Sequence, residues 1–236
     1  MKIAIIGNGK MGRSVALAAK KRNHEIVFVF DENNKQQLTV NNLQMVDVAM
    51  EFTQPESAFE NINICFDADV PVVCGTTGWL DKLPEAKERC YTEGKTLFYA
   101  PNFSIGMNIF MRVNEYLAEL MSVEDEYTAE ISETHHTEKL DAPSGTAVAL
   151  AQSILDMTER YQVWVKGAAQ AEDELPVLSE RKGDTTGIHT VKYESDLDFI
   201  EIKHHLKDRQ SLAVGAVMAA EFVADKSGFL TMDDLL

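Results

Sequence analysis

Between Glu133 and Ala147 the chain gathers two adjacent imidazoles (His135, His136), an ammonium (Lys139) and a carboxylate (Asp141). Pro143, Ser144, Gly145 and Thr146 follow, at the head of the apolar run Ala147 to Ala151. The apolar run predicts a helix, and Ser, Gly and Thr at its start leave backbone N–H groups facing outward. Such a helix end holds a carboxylate without further charge. Two histidines and a lysine a few residues upstream add cations or proton donors. These residue types suit a pocket for a small, multiply anionic substrate with titratable groups in reach of it. Two plainer explanations compete. Neighbouring imidazoles often belong to a solvated loop, and His204 with His205 could join them around a structural metal. Adjacent histidines project to opposite sides of a strand, however, and chelate poorly beside an i, i+4 pair on a helix. No metal is expected.

The elements that must position this block begin at the N-terminus. Lys2 to Ile6 is a short apolar run suited to a strand buried on both faces, as in a parallel sheet. Gly7, Asn8, Gly9, Lys10, Met11 and Gly12 follow at once, and Arg13 to Arg22 is a good helix. Strand, G-x-G-x-x-G and helix in that order make a dinucleotide-binding turn: Gly7 for the tight turn, Gly9 for close approach of a pyrophosphate, Gly12 for helix–strand packing. Glu25 to Phe30 reads as a second strand ending in Asp31, about twenty residues past the glycines, where an acid accepts from the ribose hydroxyls and repels a 2′-phosphate. Glu32 follows and Lys35 is the nearest cation, so charge favours NADH over NADPH.

Residues 32–45 are polar and predict a trimmed connection. Val46 to Thr53 resumes strand character, and Pro55 to about Asp67 is a helix. The strand Val70 to Cys74 opens into Gly75, Thr76, Thr77 and Gly78. Loops at the carboxyl ends of parallel strands line the ligand crevice, which places Gly75, Thr76 and Thr77 near the cofactor. A helix over Leu83 to Glu93 and a strand over Thr96 to Ala100 complete a βαβ rhythm, and Pro101, Asn102 and Phe103 follow it. The expectation is an α/β fold: an N-terminal Rossmann-like, doubly wound parallel sheet. Met107 to Met121 turns helical, Tyr127 to Glu133 alternates like a half-buried strand, and Ser144 to about Arg160 is helical. Three more alternating segments, 162–165, 189–193 and 199–203, suggest a second, more antiparallel sheet. Residues 167–187 read as a polar loop, a lid or an oligomer contact. Leu212 to Ala224 reads as a small-residue helix that returns to the first domain. The domains are therefore 1–104 with 210–236 for the dinucleotide, and 105–209, an α+β unit with a mixed sheet, for substrate and oligomerisation.

Bulk properties narrow the function. The 236 residues carry a formal net charge of −16, which disfavours nucleic acid and anionic membranes as partners. A binding site for an anion must then be a local positive patch. Cys65, Cys74 and Cys90 lack metal-type spacing and read as buried free thiols in a reducing compartment. Met1 leads straight into a strand with no signal-like segment, so the expected location is cytoplasmic.

Taken together, these segments resemble the 4-hydroxy-tetrahydrodipicolinate reductase (dihydrodipicolinate reductase) family of bacterial lysine and diaminopimelate biosynthesis. The resemblance rests on the glycine loop, Glu51-Phe52-Thr53, Cys74 to Gly78, Ala100 to Ser104, the stretch from Gly215 to Leu235, and above all the block His135 to Thr146. It implies an NAD(P)H-dependent reduction of a cyclic imine dicarboxylate, with hydride delivered to ring C4. By the same resemblance His135 and Lys139 are catalytic, Lys139 donating the proton, and His136, Gly145 and Thr146 bind substrate. Gly7 to Gly12, Asp31, Gly75 to Thr77 and Ala100 to Phe103 then take the cofactor positions. A homotetramer assembled through the second domain's sheet, with a hinge that closes on ligand, is also implied.

The chain departs from the family's common form in places. Its glycine loop is one residue shorter, no arginine follows Asp31, and Ile188 stands where an acidic residue is expected. Arg209 stands where the family carries an arginine, with no role assigned. Two other functions stay open on sequence alone: another small-dicarboxylate dehydrogenase, and a non-catalytic NADH-binding regulator.

Overall fold

The computed structural model describes residues 1–236, which divide into two compact units: Met1–Ile105 with Gln210–Leu236, and Gly106–Arg209. No helix is long and apolar enough to cross a membrane.

The first unit is built on six parallel strands: β1 (Lys2–Ile6), β2 (Glu25–Phe30), β3 (Val48–Glu51), β4 (Val72–Cys74), β5 (Thr96–Tyr99) and β11 (Gly228–Leu230). Their order across the sheet is β11-β5-β4-β3-β1-β2. Ile3 to Ile6, and all of β3, β4 and β5, are buried, because helices cover both faces. On one face α3 (Pro55–Asp67) and α4 (Leu83–Thr92) pack Ile62, Phe66, Ala86 and Cys90 against Ala4, Ile6 and Ala49. On the other, α1 (Lys10–Lys21) and α7 (Gln210–Val223) pack Val15, Ala19, Ala216 and Val217 against Ile3, Ile5 and Met50. Each fully buried large aliphatic side chain contributes about 1.5–3 kcal/mol, which is why neither face of this sheet alternates. The small residues of α7 permit close approach: a Cβ on Gly215 would lie 1.8 Å from the Phe103 carbonyl oxygen. Between β2 and β3 there is only a short 3₁₀ turn, Lys35–Gln37, and the single-turn α2 (Val40–Leu43). The polar 32–45 stretch has too few apolar residues to hold a longer helix on the sheet. The C-terminal α8 (Met232–Leu235) carries a capping box on Thr231 and Asp234.

The second unit pairs α5 (Ile105–Met121) and α6 (Gly145–Met157) with a mixed sheet of order β10-β9-β6-β8-β7. Its strands are β6 (Thr128–His135), β7 (Val163–Lys166), β8 (Glu174–Arg181), β9 (Ile188–Glu194) and β10 (Phe199–His205). β9 is antiparallel to β6 and β10, while β8 is parallel to β6 and β7. Burial alternates strictly along β6, as expected of a sheet with helices on one face only. Ile131, Val177 and Val191 meet Leu150 and Ile154 there.

The loop expected over 167–187 is corrected by β8, which lies between β6 and β7. Pro176 in its middle and the acidic Glu172, Asp173 and Glu174 before it give the stretch a loop's composition. Proline removes a ladder donor and argues against an inner strand; burial of Leu175 and Val177 prevails.

Candidate active site

Chemistry-bearing residues collect at one end of the sheet in each unit. In the first unit the chain leaves β1 through Gly7, whose N–H donates to the Phe30 carbonyl at 2.8 Å. Its φ is +106°, and a Cβ there would stand 2.1 Å from the Phe52 carbonyl oxygen, so only glycine fits. Gly12 presses on the same turn from α1, with Gly7's carbonyl oxygen 1.8 Å from where a Cβ would be. Gly9 is the N-cap of α1, and no side chain caps this end or places an acid in its first turn. The free amides of that turn are an anion site.

They face a cleft of about 520 Å³ lined by Gly7 to Met11, Phe30 and Asp31, with Glu32 and Lys35 near its rim. Asp31 accepts from the Asn33 N–H at 2.9 Å and from Asn8 Nδ2 at 3.3 Å. Those hydrogen bonds, the backbone one first, hold its carboxyl below the usual aspartate range. The glycine turn, the bare helix end and the ionised Asp31 fit a dinucleotide.

A second cavity of about 440 Å³ is lined by Met11, Phe52, Thr76, Thr77, Asn102 and Phe103, among others. Gly75 is required here too, since a Cβ would meet the Phe52 ring at 2.1 Å. Beneath the loop lies Glu51, fully buried. It accepts from the Thr53 N–H at 3.1 Å, Asn61 Nδ2 at 3.3 Å and the Cys74 thiol at 3.2 Å. Burial and the Glu51 charge raise the Cys74 thiol well above its ordinary value, so it stays protonated and donates. Thr76 Oγ1 accepts from the Thr53 N–H at 2.8 Å, and its carbonyl accepts from Trp79 Nε1 at 2.8 Å. Thr76 and its neighbours are thus pinned from below. Of the residues expected around a cofactor, Gly12 and Ala100 line neither cavity; Gly12 packs the helix to the turn, and Ala100 is buried.

In the second unit β6 ends on His135, which is buried, and passes to His136, which is half-buried. The opposite projection of adjacent strand residues separates them. Ser144 caps α6, its hydroxyl accepting from the Ala147 N–H at 3.2 Å and its own N–H donating to Glu133 Oε1 at 3.0 Å. The Gly145 and Thr146 amides have no acceptor within the helix, and no acid stands in its first turn. Lys139 sits in the connecting loop, with Nζ 2.8 and 2.9 Å from the two Asp141 oxygens. Chiefly the Lys139 hydrogen bond holds the Asp141 carboxyl below the usual aspartate range. Arg209 brings Nη2 to 3.3 Å from His136 Nε2, a second cation beside the expected substrate residues.

Behind this loop stand Glu133, Arg181 and His189, which carried no expectation from sequence. Glu133 has a local signal, two residues before His135 on the same strand face. Arg181 and His189 arrive from β8 and β9, and no spacing announces them. His135 Nδ1 is 3.2 Å from Glu133 Oε2, close enough for attraction but out of line for a hydrogen bond. Burial lowers the His135 pKa, with Glu133 opposing. His189 Nε2 lies 3.2 Å from Ser144 Oγ and 3.8 Å from Glu133 Oε2. Burial, helped by His135, lowers its pKa to about 4.

That depression has a consequence for stability. Between pH 6.5 and about 4 the unfolded chain binds a proton at His189 that the folded chain does not. Stability from this group is therefore full above pH 6.5 and falls as pH drops toward 4, by up to about 3 kcal/mol. The surrounding Glu133, His135, His204 and Lys139 charges remain in a His189→Asn variant. That variant should lose this part of the slope in urea midpoints measured from pH 7 to 4.5. An unchanged slope would contradict the assignment.

A doubly wound nucleotide-binding sheet, joined in one chain to a helix N-terminus with a lysine and two histidines beside it, defines a two-domain nicotinamide-dependent oxidoreductase. Family models described as dihydrodipicolinate reductase match both parts, the N-terminal model over residues 1–103 and the C-terminal model over 106–236. The chain belongs to the dihydrodipicolinate reductase family, as the His135 to Thr146 block led us to expect. It is 45% identical over 236 residues to a 4-hydroxy-tetrahydrodipicolinate reductase from Christiangramia forsetii, covering 100% of this chain and 98% of the relative. It is 35% identical over 264 aligned residues to the enzyme of that name from Archaeoglobus fulgidus, covering 100% of both. A dipicolinate-bound dihydrodipicolinate reductase from Paenisporosarcina sp. TG-14 superposes with a TM-score of 0.85 at 25% identity, covering 100% and 99% of the two chains. A probable dehydrogenase from Thermotoga maritima shares the fold alone, with a TM-score of 0.58 at 11% identity. The family uses NAD(P)H.

Proposed function

We propose that this protein reduces 4-hydroxy-tetrahydrodipicolinate, or its dehydrated imine dihydrodipicolinate, to tetrahydrodipicolinate in lysine (diaminopimelate) biosynthesis. The observation that carries the proposal is the convergence of Lys139, His136 and the free Gly145 and Thr146 amides on one loop and one helix start. A dicarboxylate needs two anchors. The helix end supplies one through its amides and partial positive charge, and His136 with Arg209 supplies the other. The dipicolinate held by the Paenisporosarcina relative is a dicarboxylate of the same kind.

Gly7 to Met11, Asp31 and the Gly75 to Thr77 loop would hold the dinucleotide, which when bound would supply the hydride. Arrival of hydride at ring C4 of the conjugated imine leaves an enamine, whose C3 carbon takes up a proton. The Lys139 ammonium is the donor, and His135 assists the transfer. Orientation and charge are the protein's part of the reaction. Asp31 makes NADH the preferred cofactor. We further assign the protein to the cytoplasm as a homotetramer joined through the mixed sheet. Support for that comes from the sheet's β10 edge, where Phe199 and Ile200 stay exposed.

Dipicolinate binding tests the substrate assignment. His136→Ala should weaken dipicolinate binding, followed calorimetrically, by about fivefold, the scale of one exposed charged hydrogen bond. An unchanged affinity would remove His136 from the site.

A further inference from the structure

Glu133 is fully buried, and a buried carboxylate is costly unless its oxygens are partnered. Oε1 accepts from the Ser144 N–H at 3.0 Å and lies 3.3 Å from Arg181 Nη2. Oε2 faces His135 Nδ1 at 3.2 Å and His189 Nε2 at 3.8 Å. Arg181 reaches onward, its Nη2 donating to the Asp141 carbonyl at 2.5 Å and its Nε to the Lys139 carbonyl at 3.2 Å. One carboxylate therefore links, by hydrogen bonds through Arg181 and Ser144, the backbone carrying the catalytic lysine and the N-cap of the carboxylate-binding helix, and it faces the catalytic imidazole through charge alone. β6, β8 and β9 all contribute neighbours to it.

We infer that Glu133, through Arg181 and Ser144, is the positioning residue of the reductase's substrate half, setting the orientation and tautomer of His135 and the placement of Lys139. The inference rests on the function proposed above. An anionic oxygen facing Nδ1 favours the tautomer protonated there and leaves Nε2 as the acceptor. Donor atoms of Glu133, His135 and His189 lie within 4.8 Å of one another, which is also the donor set of a divalent cation. Arg181 already supplies positive charge to this carboxylate, and Lys139 adds to it nearby. A dication would have to enter against both, which favours the anchor over a metal centre.

Glu133→Gln in the full chain keeps the size and the Ser144 acceptor while removing the charge. We expect kcat to fall by about a hundredfold, the cost of a small misplacement of reacting groups, with substrate KM changed by less than about threefold. The acidic limb of the kcat/KM profile should move to lower pH, because His135 loses the charge that favours its protonated form; Arg181, Lys139 and Asp141 keep their charges, and His189 stays neutral above about pH 4. Glu133→Asp, which restores the charge, should recover part of kcat and return the limb. Wild-type kcat and limb in folded Glu133→Gln overturn the inference. Should Gln prevent folding, the wild type decides: ¹⁵N spectra of the His135 ring should show the proton on Nδ1, and a proton on Nε2 overturns the inference. So does stoichiometric Zn²⁺ binding to the wild type that is lost in His189→Asn. Wild-type protein that fails to reduce dihydrodipicolinate would instead overturn the proposed function itself.

Discussion

Lys139→Ala is expected to lower kcat by about a hundredfold or more, the scale of a lost general acid. Lys139 is the ammonium of the loop between His136 and Ser144, and its Nζ is held by both Asp141 oxygens. Asp141 is ionised and its side chain more than half exposed, so the pair stabilises the fold little. Its value is chemical. The Asp141 carboxylate holds the ammonium in place until a substrate carboxylate competes for it. Lys139→Arg should be nearly as damaging, because a guanidinium does not release its proton in this pH range. The kcat loss should exceed any change in KM, since proton delivery is needed in the transition state more than in binding. Steady-state rates for the two variants check this; a kcat within threefold of wild type in Lys139→Ala would remove the lysine from the proton-donor role.

The second large effect concerns cofactor choice. Asp31→Ser should raise kcat/KM for NADPH relative to NADH by at least about tenfold, through loss of repulsion toward the 2′-phosphate and loss of an acceptor for the ribose hydroxyls. Asp31 is fixed by the Asn33 N–H and Asn8, so its charge is placed and not merely present. Glu32 follows it, and the cation at the rim, Lys35, is engaged with Glu60 at 3.1 Å. Asp31 and Glu32 therefore offset the two cations that line the cleft, Lys10 and the engaged Lys35. Parallel initial rates with both cofactors decide the matter, and an unaltered ratio would remove Asp31 from cofactor selection.

What could be read from the chain follows from how local each signal is. Gly7, Gly9 and Gly12 sit in consecutive structure, and their roles depend on a turn whose two flanks are adjacent in sequence. The small residues of α7 were likewise readable as a packed helix, because Ala213, Ala216 and Ala220 share one face. β8 was not readable. Its apolar residues, Leu175 and Val177, flank a proline, and its place beside β6 depends on pairing with strands far along the chain. β11 is three residues long, too short to show any period. In the site, His135, His136 and Lys139 lie in one short stretch from the end of β6 into the loop after it, and that block pointed to the family. Glu133, Arg181 and His189 meet only through the β6–β8 and β6–β9 ladders. Side chains assembled across strands leave no mark in spacing.

The most direct test is coupled turnover. Purified protein is mixed with freshly generated dihydrodipicolinate synthase product, and the absorbance of NADH or NADPH is followed in parallel. The predicted result is rapid oxidation of both with NADH faster, and no oxidation of either without the synthase product. Protein that binds NADH yet oxidises neither cofactor would contradict the reductase assignment and leave a nucleotide-binding regulator in its place.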